Sequence, residues 1–402
     1  MNRAQTRVHR LRESSGWRRD FRTAISLHSH TCHSREKADF VPLYIQKIPV
    51  LNRMIGSSMK RYEDRTGTTI DFRRICWTPP VLPSTVLASE TSQIEEHLGL
   101  AALVSITDHD TIAAALSLRQ QPGAASSIPI SVEWSIPFAG NTFHVGVHHL
   151  PPARSIEIME ELSRCTAEPA EDRVSDLLGI LDGFPETLLV LNHPYFDFAR
   201  MGAAKHQASV QQFLRRYRTW IHALELGGIR PWRENQKVLR MAEEYDLPIV
   251  AGGDRHGCRP NGVLNLSQAE NWGDFAAGIR ANRRNDILLL PACEEPVRLR
   301  ELQIVSDVSR HYPNYPYGYR QFADRIFVDL EAYSWHPLSF YWSGGMPLWL
   351  RPVFGGLVAL GSKPARPILR RLVPLFGDSG LATWPASAGY QSEAVSFDRG
   401  SD

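Results

Sequence analysis

Apolar residues along this chain fall into short runs separated by stretches in which they recur at helical spacing. "TAISLH" (23–28), "AALVSIT" (101–107), "IPISVEW" (128–134), "TFHVGVH" (142–148), "TLLVLNH" (187–193), "WIHALEL" (220–226) and "PIVAGGD" (248–254) read as strands. Runs of this length, rich in β-branched and apolar residues, suit a largely buried sheet. Helices are predicted over about 84–98, 155–165, 171–182, 206–219 and 233–246. In the last of them, Val238, Leu239, Met241 and Ala242 lie close to one face, with charge elsewhere. Such alternation predicts an α/β architecture with helical crossovers between strands.

Two stretches break the alternation. Residues 36–80 form an insertion after the first strand, leaning basic through Lys47, Arg53, Lys60, Arg61, Arg65, Arg73 and Arg74. Long connections inside a compact domain are usually functional or disordered. The insertion is therefore expected to be a lid facing an anionic substrate, or a surface elaboration packed on the C-terminal tail. Beyond about 295 the composition shifts to aromatics, Pro and Gly, as in "HYPNYPYGYR" and "SWHPLSFYWSGGMPLWLRPVFGGLVAL". Prolines, glycines and Arg351 interrupt any bilayer-spanning helix there. A packing segment is expected, with membrane-surface or protein contact through 335–376 as the alternative. The plan is a basic tail (1–22), a main domain (23–294) and a C-terminal extension (295–402).

Composition changes this picture little. Of 402 residues, 43% are apolar and 22% charged, and the net charge is +2, all ordinary for a soluble globular protein. No continuous basic stripe supports stable binding to duplex DNA. The N-terminus lacks an apolar signal core and carries Arg3, Arg7, Arg10, Arg12, Arg18, Arg19 and Arg22. A solvated tail is expected, or an arm that touches an anionic partner. The five cysteines, at 32, 76, 165, 258 and 293, form no CxxC pair. Reduced thiols and a cytoplasmic location follow as expectations.

Chemistry enters at the strand ends. "LHSH" carries His28 and His30, and residues i and i+2 of a strand point the same way, so both can face one ion. Alone, that spacing fits core histidines equally well. The pattern then repeats: His109 follows the second strand, Glu133 and His144 sit in the third and fourth, and His193, Glu225 and Asp254 with His256 close the later ones. In α/β barrels the C-terminal strand ends converge on one mouth, where active sites are built. Imidazole with carboxylate suits Zn, Mn or Fe rather than Ca.

In this order, "LHSHT", "ITDHDT", "VEW", "FHVGV", "LNHP" and "GGDRH" resemble the PHP (polymerase and histidinol phosphatase) superfamily of metal-dependent phosphoesterases. The likeness spans about residues 23–290. It implies a distorted (β/α)7 barrel with two or three divalent ions at its mouth. It also implies His28 and His30 on one metal, Glu133 bridging to a second, and Asp254 completing the first. His144 and His193 would hold the second ion, and His109 and His256 a third. Asp108 and Asp110 would orient His109 or support its loop, with helix capping as the competing role for Asp110.

The sequence departs from the family pattern at "HSHTCHSRE", where Arg35 and Glu36 stand in place of the usual third-metal ligand. Glu36, Asp39 or His33 could substitute, or Arg35 could contact phosphate as a fixed charge. Arg255 replaces a residue that is usually small, and either points outwards or touches phosphate. His148 and His149 are alternatives to His144 by register, Glu225 is a supporting residue, and Cys258 is a packing residue rather than a nucleophile.

The implied reaction is hydrolysis of a phosphate mono- or diester by metal-activated hydroxide. His28, His30, Glu133, His193 and Asp254 form its catalytic centre, and the substrate is a small phosphorylated molecule or a nucleic-acid end. The alternatives are hydrolysis of a non-phosphate bond by the same chemistry, and a non-catalytic metal-binding protein acting through its insertion and tail.

Overall fold

A computed structural model describes residues 3–11, 20–39, 41–121, 127–330, 334–342 and 345–372. Its strands are β1 (Gln5–Arg10), β2 (Thr23–Ser26), β3 (Glu36–Lys37), β4 (Ile75–Trp77), β5 (Ala101–Val104), β6 (Val132–Phe138) and β7 (Asn141–His148). They continue as β8 (Leu188–Leu191), β9 (Ala223–Gly227), β10 (Ile249–Gly252), β11 (Val263–Ser267), β12 (Arg284–Leu289), β13 (Ile326–Asp329) and β14 (Trp335–Pro337). The predicted helices appear as Pro83–Leu98, Ser155–Ala167, Glu171–Asp182, Ala203–Tyr217 and Trp232–Tyr245. The protein is mixed α/β.

Strands assemble into sheets of order β1-β12-β11-β2-β5, β10-β9-β8-β7-β6 and β14-β13-β4-β3. Among the described residues no continuous ladder closes the expected seven-stranded barrel. Isolated bridges, Ser29 to Arg255 and His109 to Glu133, stitch the two larger sheets together at their ends instead. Strand β7 runs antiparallel to both β6 and β8, so uniform crossover alternation fails there. The reason is local: Ala139 and Gly140 both adopt positive φ (51° and 74°), the geometry of a two-residue hairpin turn whose twist matches its strands.

The N-terminus departs from expectation, whereas the insertion pairs with the C-terminal extension, one of its two readings, and the extension packs as expected. The arginine-rich N-terminus supplies a strand, β1, parallel to β12 and pinned by His9 to Asp286 at 2.7 Å, rather than a wholly solvated tail. Arg12, Arg18 and Arg19 lie outside the described residues. The insertion is largely helical, at Val41–Gln46 and Pro49–Thr66, and its strand β4 pairs with β13 of the C-terminal extension. That extension packs on the body through Asp307, which accepts from Cys258 N–H (2.9 Å), and Glu295, which pairs with Arg259 (3.0 Å). Of the segment 335–376, only residues before 373 are described, apart from 343–344. Among the described residues no helix is long and apolar enough to cross a membrane.

The core lies between the β6–β10 sheet and its helices, where Trp134, Phe213 and Tyr217 are fully buried. The two larger sheets meet through side chains. Buried Asn265 of β11 accepts from Ala251 N–H (2.7 Å) and donates to Ala251 C=O (2.9 Å), acting as a surrogate strand for β10. Asn285 of β12 donates to the same Asn265 oxygen at 2.7 Å. Replacing Asn265 with Leu keeps the branching but orphans two buried backbone groups of β10. Unfolding in urea should show a loss of about 3 kcal/mol at unchanged slope. A change below ~0.5 kcal/mol would refute the bridging role.

Candidate metal centre

The site is assembled by the segments that follow β2, β5 and β10. Residues 27–30 pair with 253–255 through Gly253 N–H to Leu27 O (2.9 Å) and His30 N–H to Arg255 O (2.9 Å). Residues 108–110 clasp Glu133 through Glu133 N–H to Asp108 O (3.2 Å) and Asp110 N–H to Glu133 O (3.0 Å). His28, His193 and Asp254 all take left-handed backbone, with φ of 63°, 27° and 50°. Non-glycine residues pay conformational strain there, of order 1–3 kcal/mol each, which surrounding structure must impose.

That structure is visible. Asp108 accepts from both the N–H (2.5 Å) and the hydroxyl (2.7 Å) of Thr31, tying down the loop after β2. Asp110 accepts from Ser135 N–H at 2.8 Å and holds the third strand segment. Neither carboxylate bonds His109, and the helix Ala113–Arg119 has no side-chain cap, so the orienting and capping readings fail while the loop-support reading stands. Buried Glu225 accepts from His28 Nδ1 (2.8 Å) with one oxygen and from His193 N–H (2.8 Å) with the other. It can do so because Gly252 leaves room: a Cβ there would sit 1.9 Å from Glu225 Oε1.

Glu133, with no exposure at all, is the hub. His144 Nδ1 (3.3 Å) and His193 Nε2 (2.9 Å) face its Oε1. Its Oε2 is faced by His28 Nε2 (3.1 Å), His30 Nε2 (3.3 Å) and His109 Nδ1 (3.3 Å). Asp254 lies 3.7 Å from His28 and 3.5 Å from His30. Glu36 Oε2 sits 3.3 Å from both His109 Nε2 and His256 Nε2.

Four groups could therefore each hold an ion: His28, His30 and Asp254; His28, Glu133 and His193; His109, Glu133 and His144; and His30, Glu36, His109 and His256. Their chemistry fits a metal. Glu133 Oε2, His109 Nδ1 and His144 Nδ1 are buried without an aligned hydrogen bond. Ligand atoms around an ion with bonds of about 2.0–2.2 Å sit about 3–3.5 Å apart, the separation seen here. The outer nitrogens are already engaged: Ser34 Oγ faces His30 Nδ1 (3.2 Å), and His256 Nδ1 donates to Asp254 C=O (2.9 Å). Such partners fix which nitrogen faces the ion.

Electrostatics agree. Burial drives His28 toward neutrality, but Glu133 and Glu225 outweigh it and lift its pKa well above the usual range. His109 and His256 are likewise raised against burial, the first by Glu36 and Glu133, the second by Glu36 and Asp254. For His30, burial and His256 oppose Asp254, Glu133 and Glu36, and the net shift is upward. Glu36, Glu133 and Asp254 are held well below the carboxylate range despite burial, by the surrounding imidazoles. His144 is the exception: burial, aided by His109 and His193, pushes it down to about 3.

Other candidates fall elsewhere. Asp39 pairs with Arg200 (3.7 Å), and Asp39 and His33 join none of the four groups. Arg35 is exposed beside Glu36. Arg255 neither points outwards nor reaches a substrate. It is 3% exposed, and its guanidinium is bonded to Glu90 (2.8 Å), Ser89 (2.8 Å) and the carbonyls of Gly257 and Cys258. His148 bonds Ser105 (2.8 Å) and His149 faces Glu186 (3.5 Å), so neither replaces His144 by register. Cys258 contacts Tyr312 Oη at 3.1 Å, and burial raises its thiol, as suits a packing residue.

Three residues went unforeseen. Ser34 donates to Glu36 Oε1 (2.7 Å) and accepts from His109 N–H (3.1 Å). Arg230 donates to Asp254 Oδ2 (2.8 Å) and stacks 3.9 Å above the ring of Phe196. Phe198 packs 4.3 Å from His144 and 5.4 Å from His193 between ring centroids. Their only sequence signal is membership of the segments that follow strand ends.

No family model matches the chain, and no curated protein matches it. Several solved structures resemble it, among them these three. PsfC from Pseudomonas syringae PB-5123 is 16% identical, with 52% of this chain and 88% of that one covered and a TM-score of 0.37. An amidohydrolase from Chromobacterium violaceum, determined with sulfate and no metal, is 14% identical over 45% of this chain and 84% of its own, at 0.30. A protein provisionally assigned as a metal-dependent phosphoesterase, from Bifidobacterium adolescentis, is 14% identical over 51% and 92%, at 0.29. Scores at that level assign neither fold nor activity, so the functional reading rests on the side chains themselves.

Two outcomes follow. Metal uptake must displace protons from His28, His30, His109 and His256, whose pKa values lie above 6.5, while the ionised carboxylates and neutral His144 release none. Affinity should fall, and proton release per ion should rise, as pH is lowered through those raised values. Calorimetry of Zn binding in buffers of different ionisation enthalpy reads both, and pH-independent affinity would refute the scheme. Glu225→Gln should weaken Zn binding by about 10–100-fold, because it removes the charge that orients His28; equal affinity in a chelator competition would remove that role.

Proposed function

We propose that this protein is a metal-dependent hydrolase, and specifically a phosphoesterase of the PHP type. The supporting observation is Glu133: one buried carboxylate whose two oxygens face five imidazoles. A lone structural carboxylate needs no such ring, whereas two cations sharing it do. His28, His30, Glu133 and Asp254 would hold one ion, and Glu133, His193 and His144 a second. A third fits Glu36, His109 and His256. On this reading residues 23–294 are the hydrolase unit, and the distorted (β/α)7 barrel is drawn from strands of the two stitched sheets.

Divalent ions of the Zn, Mn or Fe kind would supply Lewis acidity and a water of low pKa at this position. The chain's own residues do the rest. Glu225 fixes His28 and the backbone of His193, so both imidazoles present one nitrogen inward. Arg230 anchors Asp254 and brings a cation close to where phosphoryl oxygens would gather. Phe198 covers His144 and His193, limiting water on that side. Arg35, exposed next to Glu36, supports a contact with the outer part of a small phosphorylated substrate or a nucleic-acid end.

Elemental analysis on protein purified without added metal, beside turnover of p-nitrophenyl phosphate and bis(p-nitrophenyl) phosphate, tests this reading. At least two ions per chain are expected, with His109→Ala losing one. Asp254→Asn should lower turnover of the cleaved ester by more than about 100-fold, since a direct ligand matters more than an outer partner. Full turnover in metal-replete Asp254→Asn, or wild-type protein that binds no ion even when loaded, would overturn the proposal.

A further inference from the structure

A cavity of about 70 Å³ lies against the segment that carries Asp254 and His256. Gly228, Gly253 and His256 form part of its wall, so it shares the His256 ring with the Glu36 and His109 group. Arg300 enters from the helix Val297–Ser309, beyond the part of the chain that carries the metal-facing residues. Its Nη1 donates to Gly228 C=O, but its Nε and Nη2 are buried with no hydrogen-bond partner.

The other charged groups of the wall are satisfied. Arg255 holds Glu90 (2.8 Å), Arg259 holds Glu295 (3.0 Å), and Asp307 accepts from Cys258 N–H (2.9 Å) and Gln303 (2.7 Å). Glu295 is engaged a second time by Arg370 at 2.7 Å. Arg300 is half-buried on the wall of that space, its Nε and Nη2 shielded from water, with no carboxylate paired to it among the described residues. Leaving shielded guanidinium N–H groups unpaired is costly, and an anion removes the cost. Nε and Nη2 form one edge of the guanidinium, the pair that grips two oxygens of a single carboxylate or phosphate. The cavity exceeds the ~10–15 Å³ that one water needs.

We propose that Arg300 anchors an oxyanion subsite beside the metal centre, filled by a second anionic group of the substrate, a phosphate or a carboxylate. Anion binding by the cavity stands on its own; assigning that anion to the substrate rests on the hydrolase reading above. The C-terminal extension then sets which substrates bind, by rewarding a second negative charge.

Inorganic phosphate is the first probe, on full-length protein freed of metal by chelation. It should raise the melting temperature of the wild type and bind at least tenfold more weakly to Arg300→Met, with partial recovery in Arg300→Lys, as loss of a charge-assisted pair predicts. Ala292→Glu, at an exposed rim position, should place a competing carboxylate there and abolish the response even if Arg300→Met folds poorly. No phosphate response in the chelated wild type, or an equal one in Arg300→Met and Ala292→Glu, would overturn the subsite. With metal restored, Arg300→Met should raise KM about tenfold for an ester bearing a second phosphate and leave p-nitrophenyl phosphate unchanged. An unchanged KM for both would make the anion a free one and overturn its assignment to the substrate. Absence of any turnover by the wild type would strike the hydrolase reading, while the phosphate titration still decides the subsite.

Discussion

A carboxylate with no exposure to water sets the terms for this molecule. Glu133 is buried and ionised, and the low dielectric around it would make that ruinous without compensating charge. Compensation comes from imidazoles crowded on both oxygens. Crowding brings its own cost, because His28 Nε2 and His30 Nε2 stand 3.1 Å apart and cannot both carry a proton toward each other. Cations in place of those protons relieve both difficulties at once. The same arrangement thus serves as a protonated cluster without metal and as a ligand cage with it.

Holding mutually repelling imidazoles requires backbone that would not otherwise choose those shapes. His28, His193 and Asp254 all sit in the left-handed region, and each is over-determined by its neighbours. Glu225 grips the first by its ring and the second by its backbone, Arg230 grips the third by its carboxylate, and Gly252 is small because Glu225 passes so close. Strain at the ligands and rigidity around them are two sides of one requirement.

Much of this was legible from local pattern. His28, His30, His109, His193, Asp254 and His256 lie just past strand ends, where segments of neighbouring strands meet, whereas Glu133, His144 and Glu225 sit inside β6, β7 and β9. Helix boundaries matched within a few residues because amphipathic periodicity is local. Non-local facts were hidden. Arg255 looked like a site residue by adjacency, yet its partner Glu90 is 165 positions away, and only the folded chain shows that the charge points inward. The strands β1, β11 and β12 escaped notice for the same reason: polar residues interrupt each (QTRVHR, VLNLS, RNDILL), and each is a strand because of what it pairs with. Reversal of β7 depended on a turn, Ala139-Gly140, that lacks the usual Asn or Asp.

The third sheet ties these levels together. Glu36 belongs to β3, whose partner is β4 of the insertion, whose partner in turn is β13 of the C-terminal extension. A ligand candidate for the His109 and His256 group is therefore positioned by β4, and through it by β13, which the register of Cys76 with Phe327 brings in from 251 residues further along the chain. Arg300 reaches the same neighbourhood from the same extension, lining one cavity with His256. Insertion and extension are thus structural parts of the centre rather than ornaments on it. Cutting the β4 to β13 pairing would be felt first at Glu36, and so at the outermost of the four ligand groups, while Glu133 and its inner histidines, held by β2, β6, β7, β8 and β9, would keep their places.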